Sequence, residues 1–132
     1  MDHATLTALC DCTTGSDAGT MTFPEVVARL AAVTVERYHT DLVRAEKTYY
    51  LPRGDSHTLA CHPLAAPPAV QFSTAGVDAA VRAVQVGAID YQEFCRRIAQ
   101  AGCVFYVVSL AGRRAVYYGR TGEAHMEMFP QQ

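Results

Sequence analysis

Apolar positions along this chain change period at regular places. Phe23, Val26, Val27 and Leu30 recur at three- and four-residue spacing, as do Tyr91, Phe94, Cys95 and Ile98. That spacing predicts two amphipathic helices, each with one stripe for a core. Thr22 and Asp90, each followed three residues later by a Glu, read as capping boxes. Met21 and Ile89 stand just before the caps, placed to close hydrophobic staples with Val26 and Phe94. After each helix the period falls to about two, through Val35 to Leu42 and Cys103 to Leu110, the mark of a strand entering a hairpin. The returning strands carry the pairs Tyr49-Tyr50 and Tyr117-Tyr118, a second turn holds Gly54-Asp55 or Gly122-Glu123, and a third segment begins near His57 or His125. Val77 to Val86, stopped by Gly87, predicts a further helix after the Ser73-Thr74 start signal. Ala4 to Cys12 predicts another, ended by a Gly15 to Gly19 loop within the extended stretch Thr13 to Thr20. Residues 60–72 contain three closely spaced prolines and read as an extended connector inside one domain.

The same pattern thus occurs twice. With an offset of 68 residues, Gly19 to His57 aligns with Gly87 to His125 without a gap, and 10 of the 39 pairs are identical. Among these are Tyr38/Tyr106, Tyr49/Tyr117, Tyr50/Tyr118, Gly54/Gly122 and His57/His125. Self-similarity at a fixed offset predicts duplication of one supersecondary unit. The expected fold is α+β: one domain spanning residues 1–132, built of two helix-strand-strand-strand units, each preceded by a further helix. The strands should form an antiparallel sheet, with the two units related by a pseudo-twofold axis.

Hairpin geometry then sorts the unusual residues. A tight turn at Ala111-Gly112 pairs Tyr106 with Tyr117 and Phe105 with Tyr118, and the offset pairs Tyr38 with Tyr49 and Arg37 with Tyr50. A following turn at Pro52 to Asp55 would pair Tyr50 with His57 and Tyr118 with His125. On that register Tyr38, Leu42 and Tyr49 face the core. Arg37, His39, Asp41, Tyr50 and His57 share the opposite face, where the second copy has Phe105, Val107, Ser109, Tyr118 and His125. The copies differ most there. A His beside a Tyr, with Arg and Asp nearby, suits binding of a polar or anionic ligand, or proton exchange. The same His-Tyr pairs also suit a purely fold-forming role, closing the turn with the ring stacked above it.

Charge and composition narrow the function. Eleven basic and 13 acidic residues leave a net charge of -2 with no long run of either sign, which argues against a general nucleic-acid binder. The arginines at 96, 97, 113, 114 and 120 read as solvated faces. No apolar run reaches membrane-spanning length and the start lacks a signal-peptide pattern, so a cytoplasmic location is expected. Five irregularly spaced cysteines argue for reduced thiols, with Cys95 and Cys103 as small core hydrophobes. Cys10-Asp11-Cys12, with Cys61-His62 and His3, has zinc-ligand types at the wrong spacing, so no metal site and no cofactor are expected. No nucleophile elbow, phosphate loop, dinucleotide fingerprint or zinc-protease helix appears, and no catalytic residue is assigned.

The segments MTFPEVVARL, VRAEKTYYLPRGDSH, IDYQEFCRRI, AGC and LAGRRAVYYGRTGEAH resemble a family of small bacterial and prophage-encoded proteins catalogued as domain of unknown function 1398. Some members carry the label phage envelope protein. The resemblance covers nearly the whole chain and implies no mechanism or site residue. The Cys-Asp-Cys stretch and the Thr13 to Thr20 segment depart from the family pattern.

The leading expectation is a non-enzymatic module that binds a small polar ligand or a protein partner. Its candidate surface is lined by Arg37, His39, Tyr50, His57, Tyr118 and His125. One rival is a small hydrolase or isomerase using His57 or His125 as general base, and another is a phage-associated structural protein. Residual apolar sheet surface would favour a homodimer.

Overall fold

In the computed structural model, which describes residues 1–130, the elements run α1 (His3–Ala18), α2 (Phe23–Ala32), β1 (Arg37–Asp41), β2 (Glu46–Tyr50) and β3 (Ser56–Ala60). They continue as α3 (Thr74–Gln85), α4 (Tyr91–Gln100), β4 (Cys103–Ser109), β5 (Arg114–Gly119) and β6 (Ala124–Met128). The chain is α+β, and the order α-α-β-β-β occurs twice. All six strands join one antiparallel sheet in the order β3-β2-β1-β4-β5-β6. The central β1–β4 ladder sets His39 opposite Val107, with Tyr38 opposite Val108 and Thr40 opposite Tyr106 on either side. His39 and Val107 are themselves 68 residues apart, so every pair in that ladder maps onto another pair under the offset.

Local chemistry explains the elements. Thr22 accepts from the Glu25 N–H while the Glu25 carboxylate takes the Thr22 N–H, so the first capping box forms as expected. The second forms by half. Asp90 accepts from the Glu93 N–H, but the Glu93 carboxylate turns to Arg96 and Arg97, which hold its pKa down to about 2. Asp41 and Ser109 close the two hairpins alike, their side-chain oxygens accepting from the Arg44 and Gly112 N–H groups. Gly54 and Gly122, in the second turns, both adopt positive φ (98° and 88°), a conformation that favours glycine.

The stretch expected as a loop after Cys12 is instead helical as far as Ala18. Thr13 keeps the helix by donating its hydroxyl to the Leu9 carbonyl. Gly15 is held there by close packing, since a Cβ would meet Met21 Cγ at 2.6 Å. Gly19, left-handed at φ 72°, ends the helix nearly two turns later than expected.

Helices cover one face of the sheet. Leu9, Leu30, Val77, Ile98, Tyr49, Tyr106 and Val108 form the centre of the core between the two layers. Burying each of these side chains stabilises the fold by roughly 1.5–3 kcal/mol. The layers meet unevenly. α4 is seated on β4 and α3 on β6, whereas α1 packs on α2 and α4. An open space is left between α2, the ends of α3 and α4, and the middle of the sheet.

Candidate functional site

Strand alternation decides what enters that space. In β2 the inward positions are Lys47 and Tyr49, between the half-buried Glu46, Thr48 and Tyr50. Lys47 is the only lysine in the chain, every other basic side chain being arginine. It is 2 % exposed. Lysine is almost never fully buried without a partner, yet among the described residues no carboxylate forms an ion pair with it. Its Nζ instead lies 4.2 Å from the centre of the Tyr91 ring and 5.7 Å from that of Tyr38. Burial pushes its pKa below the ordinary lysine value.

Around it the cavity is largely aromatic and aliphatic, with a volume of about 860 Å³. Tyr38, Tyr106 and Tyr117 form the sheet wall, Phe94 and Tyr91 the α4 wall, and Val26 and Val27 the α2 wall. The Tyr91 and Tyr106 hydroxyls are hydrogen-bonded to each other, and burial raises both well above the ordinary tyrosine value. Both therefore remain neutral donors at any physiological pH. Phe23 and Phe129 meet edge to face, ring centres 5.1 Å apart, and Arg113 lies over the Phe129 ring, so an aromatic pair flanked by one cation borders the cavity. The volume lies within the range of small-molecule sites, and so does the plan of apolar walls with few polar groups.

A second polar group sits beside Lys47. Thr40 lies directly across the β1–β2 ladder from Lys47 and across the β1–β4 ladder from Tyr106. It is 1 % exposed, and its hydroxyl, beside that of Tyr106, makes no well-formed hydrogen bond among the described residues. Buried polar atoms are nearly always paired. Lys47 and Thr40 thus face each other as buried cross-strand partners on the inner sheet surface. Cys12, Cys61 and Cys95 lie in the surroundings with thiols made less acidic by burial, Cys95 to about 11, so they stay protonated at neutral pH.

The expected site residues are dispersed by the sheet. Arg37, His39 and Tyr50 do come together on the open face. The Arg37 guanidinium stacks at 4.1 Å over the Tyr50 ring and donates to His39 Nε2 at 3.2 Å, while the His39 ring packs on Tyr50 at 4.8 Å. Arg37 also pairs with Glu36. Burial, then Arg37, lowers the His39 pKa, which keeps that ring neutral. Tyr118 is on the same face but belongs to another group, stacked on Phe105 at 4.6 Å.

His57 and His125 are not on that face. The ladders pair His57 with Tyr49 and His125 with Tyr117, one position from the expected Tyr50 and Tyr118. Five residues, Leu51 to Asp55, separate the paired Tyr50 and Ser56, and a one-residue slip moves a whole strand to the other face. Both histidines therefore point to the helix side. His125 contacts Glu127 through Nε2 at 2.8 Å, with Asp78 of α3 at 4.0 Å. The ligand atoms of these three residues lie within 4.8 Å of one another, a geometry able to hold a metal ion, but the Arg82 guanidinium already meets Asp78 at 3.0 Å. Cys10 is exposed and Cys12 buried on α1, so the Cys-Asp-Cys stretch does not present both thiols to one ligand.

Lys47 and Thr40 escaped the sequence reading, although a signal existed. A single lysine two residues before an inward tyrosine in a period-two strand must itself point inward.

A family model described as a protein of unknown function (DUF1398) matches residues 22–127. No curated protein matches the chain.

Proposed function

The chain belongs to the DUF1398 family, and from that premise we propose that it is a small-ligand-binding module whose site is the cavity between the helices and the sheet. The ligand is largely apolar and ends in an oxygen acceptor, carbonyl or carboxylate, that meets Lys47. The buried, unpaired Lys47 carries this reading, because leaving an amine out of water without a partner costs several kcal/mol unless a ligand supplies one. The tyrosine walls contribute stacking area. The Arg37–His39–Tyr50 cluster and the Phe105–Tyr118 stack take supporting roles on the open face in this reading. We also read the twofold element order and the self-mapping central ladder as the product of duplication, the copies having diverged on the open face and, on the inner face, at Lys47 and Thr40.

An apolar anionic dye such as anilinonaphthalene sulfonate tests the site. The native protein should bind one equivalent saturably. Lys47→Met should weaken that binding about tenfold or more, the worth of a charge-assisted hydrogen bond. Dye binding that is absent, or unchanged in Lys47→Met, overturns the assignment.

A further inference from the structure

We infer that Lys47 captures aldehydes of small apolar or aromatic molecules as a reversible imine, so that the carbonyl carbon of the ligand becomes bonded to Nζ inside the cavity. This rests on the cavity being the ligand site, as proposed above, and names the chemical class it takes. A lysine acts as a carbonyl nucleophile when it is desolvated in an apolar pocket and free of a carboxylate partner. Both conditions hold: Lys47 is 2 % exposed, and no carboxylate pairs with it among the described residues. Arginine cannot do this chemistry, and the chain uses arginine for every other basic position.

The step balances without a co-reactant. The Nζ lone pair attacks the carbonyl carbon and forms the C–N bond, and the carbonyl π pair moves to oxygen. One Nζ proton passes to that oxygen, giving a carbinolamine. The C–O bond then breaks, the second proton leaves with the hydroxyl as water, and the nitrogen pair closes the C=N bond. The paired Tyr91 and Tyr106 hydroxyls line the same cavity and can lend and recover the proton.

Reductive trapping tests the inference. The whole native chain is incubated with benzaldehyde or hexanal and cyanoborohydride near neutral pH, and the products are mapped by peptide mass spectrometry. One adduct is expected at Lys47, with a mass gain equal to the aldehyde less one oxygen. It should be lost in Lys47→Met and Lys47→Arg, leaving only background at the N-terminal amine, the chain's other primary amine. Dye binding is measured on the same samples. If native protein binds dye but gains no adduct at Lys47, the imine fails and the cavity assignment stands. If it does neither, both fail. Circular dichroism on the two variants confirms that a lost adduct reports lost chemistry rather than lost fold.

Discussion

On the inner face of the two central hairpins, the two halves of this sheet share their tyrosines and part company at one cross-strand pair. Tyr38 and Tyr49 in the first half correspond to Tyr106 and Tyr117 in the second, all four buried. Between them, Thr40 faces Lys47 in the first half, where Val108 faces Ala115 in the second. One half keeps an apolar pair that any sheet core would accept. The other holds, among the described residues, a hydroxyl without a well-formed hydrogen bond and an amine without an ion pair. Since the second half makes the same hairpin with an apolar pair, the polar pair is not needed to make the fold, and on the proposed reading Lys47 serves a bound ligand. Proteins keep such stability-costing groups at functional sites.

Core truncation should give the largest effect and tests whether the halves carry equal weight. Leu30 of α2 and Ile98 of α4 occupy equivalent positions, both 0 % exposed. Leu30→Ala and Ile98→Ala should each cost about 2–5 kcal/mol in denaturant unfolding. A much smaller loss at Leu30 would show that α2 can collapse into the cavity beside it and that the space is not rigid.

Next in size is the polar pair itself. Lys47→Met should raise stability by roughly 1–3 kcal/mol near neutral pH, because it removes a desolvated amine while keeping the volume. The gain should depend on pH. Burial depresses the native pKa of Lys47 below the unfolded value of about 10.4. Below the native pKa the penalty is present in full. Between the two values the unfolded chain holds the extra proton, so wild-type stability rises with pH. The gap between variant and wild type should therefore shrink as pH climbs toward about 10.4. Cys95, Cys61, Asp17 and Cys12 act against burial by favouring the charged amine, while Tyr38 and Tyr91 pack on it. Parallel stability curves for the two proteins would mean that Lys47 is not desolvated.

The smallest effect separates two residues alike in sequence. Thr13 gives its only proton to the Leu9 carbonyl, so Tyr49 must donate to Thr13 Oγ1, at 2.8 Å, and this ties α1 to the sheet. Among the described residues Tyr117 has no matching bond. Tyr49→Phe should cost about 1 kcal/mol and Tyr117→Phe less, by thermal or denaturant unfolding. Equal losses would remove this asymmetry between the halves.

How much of this was legible in the chain varies from residue to residue. The tyrosine pairs, the caps at Thr22 and Asp90 and the hairpin partners of Arg37 and Phe105 followed from spacing alone, because turn length and side-chain period are local. The face of His57 and His125 did not. It hung on whether Leu51 belonged to the strand or the turn, and period two converts that single residue into opposite faces. Helix α1 runs on past Cys12 although Thr13, Thr14 and Gly15 are poor helix formers. Packing of Gly15 against Met21 and the Thr13–Tyr49 bond override that preference.

The sequence by itself determined the elements, their twofold order, the antiparallel pairing within each hairpin and the family, since these rest on periodicity, capping and turns between near neighbours in the chain. Only the tertiary structure decided which helix is seated on which strand, and hence where the layers part and leave a cavity. It also decided that the one lysine, inward by its strand position, lines that cavity with no ion pair among the described residues. Those facts depend on contacts between residues tens of positions apart, such as Lys47 with Tyr91 and Thr40 with Tyr106, for which a local pattern carries no signal.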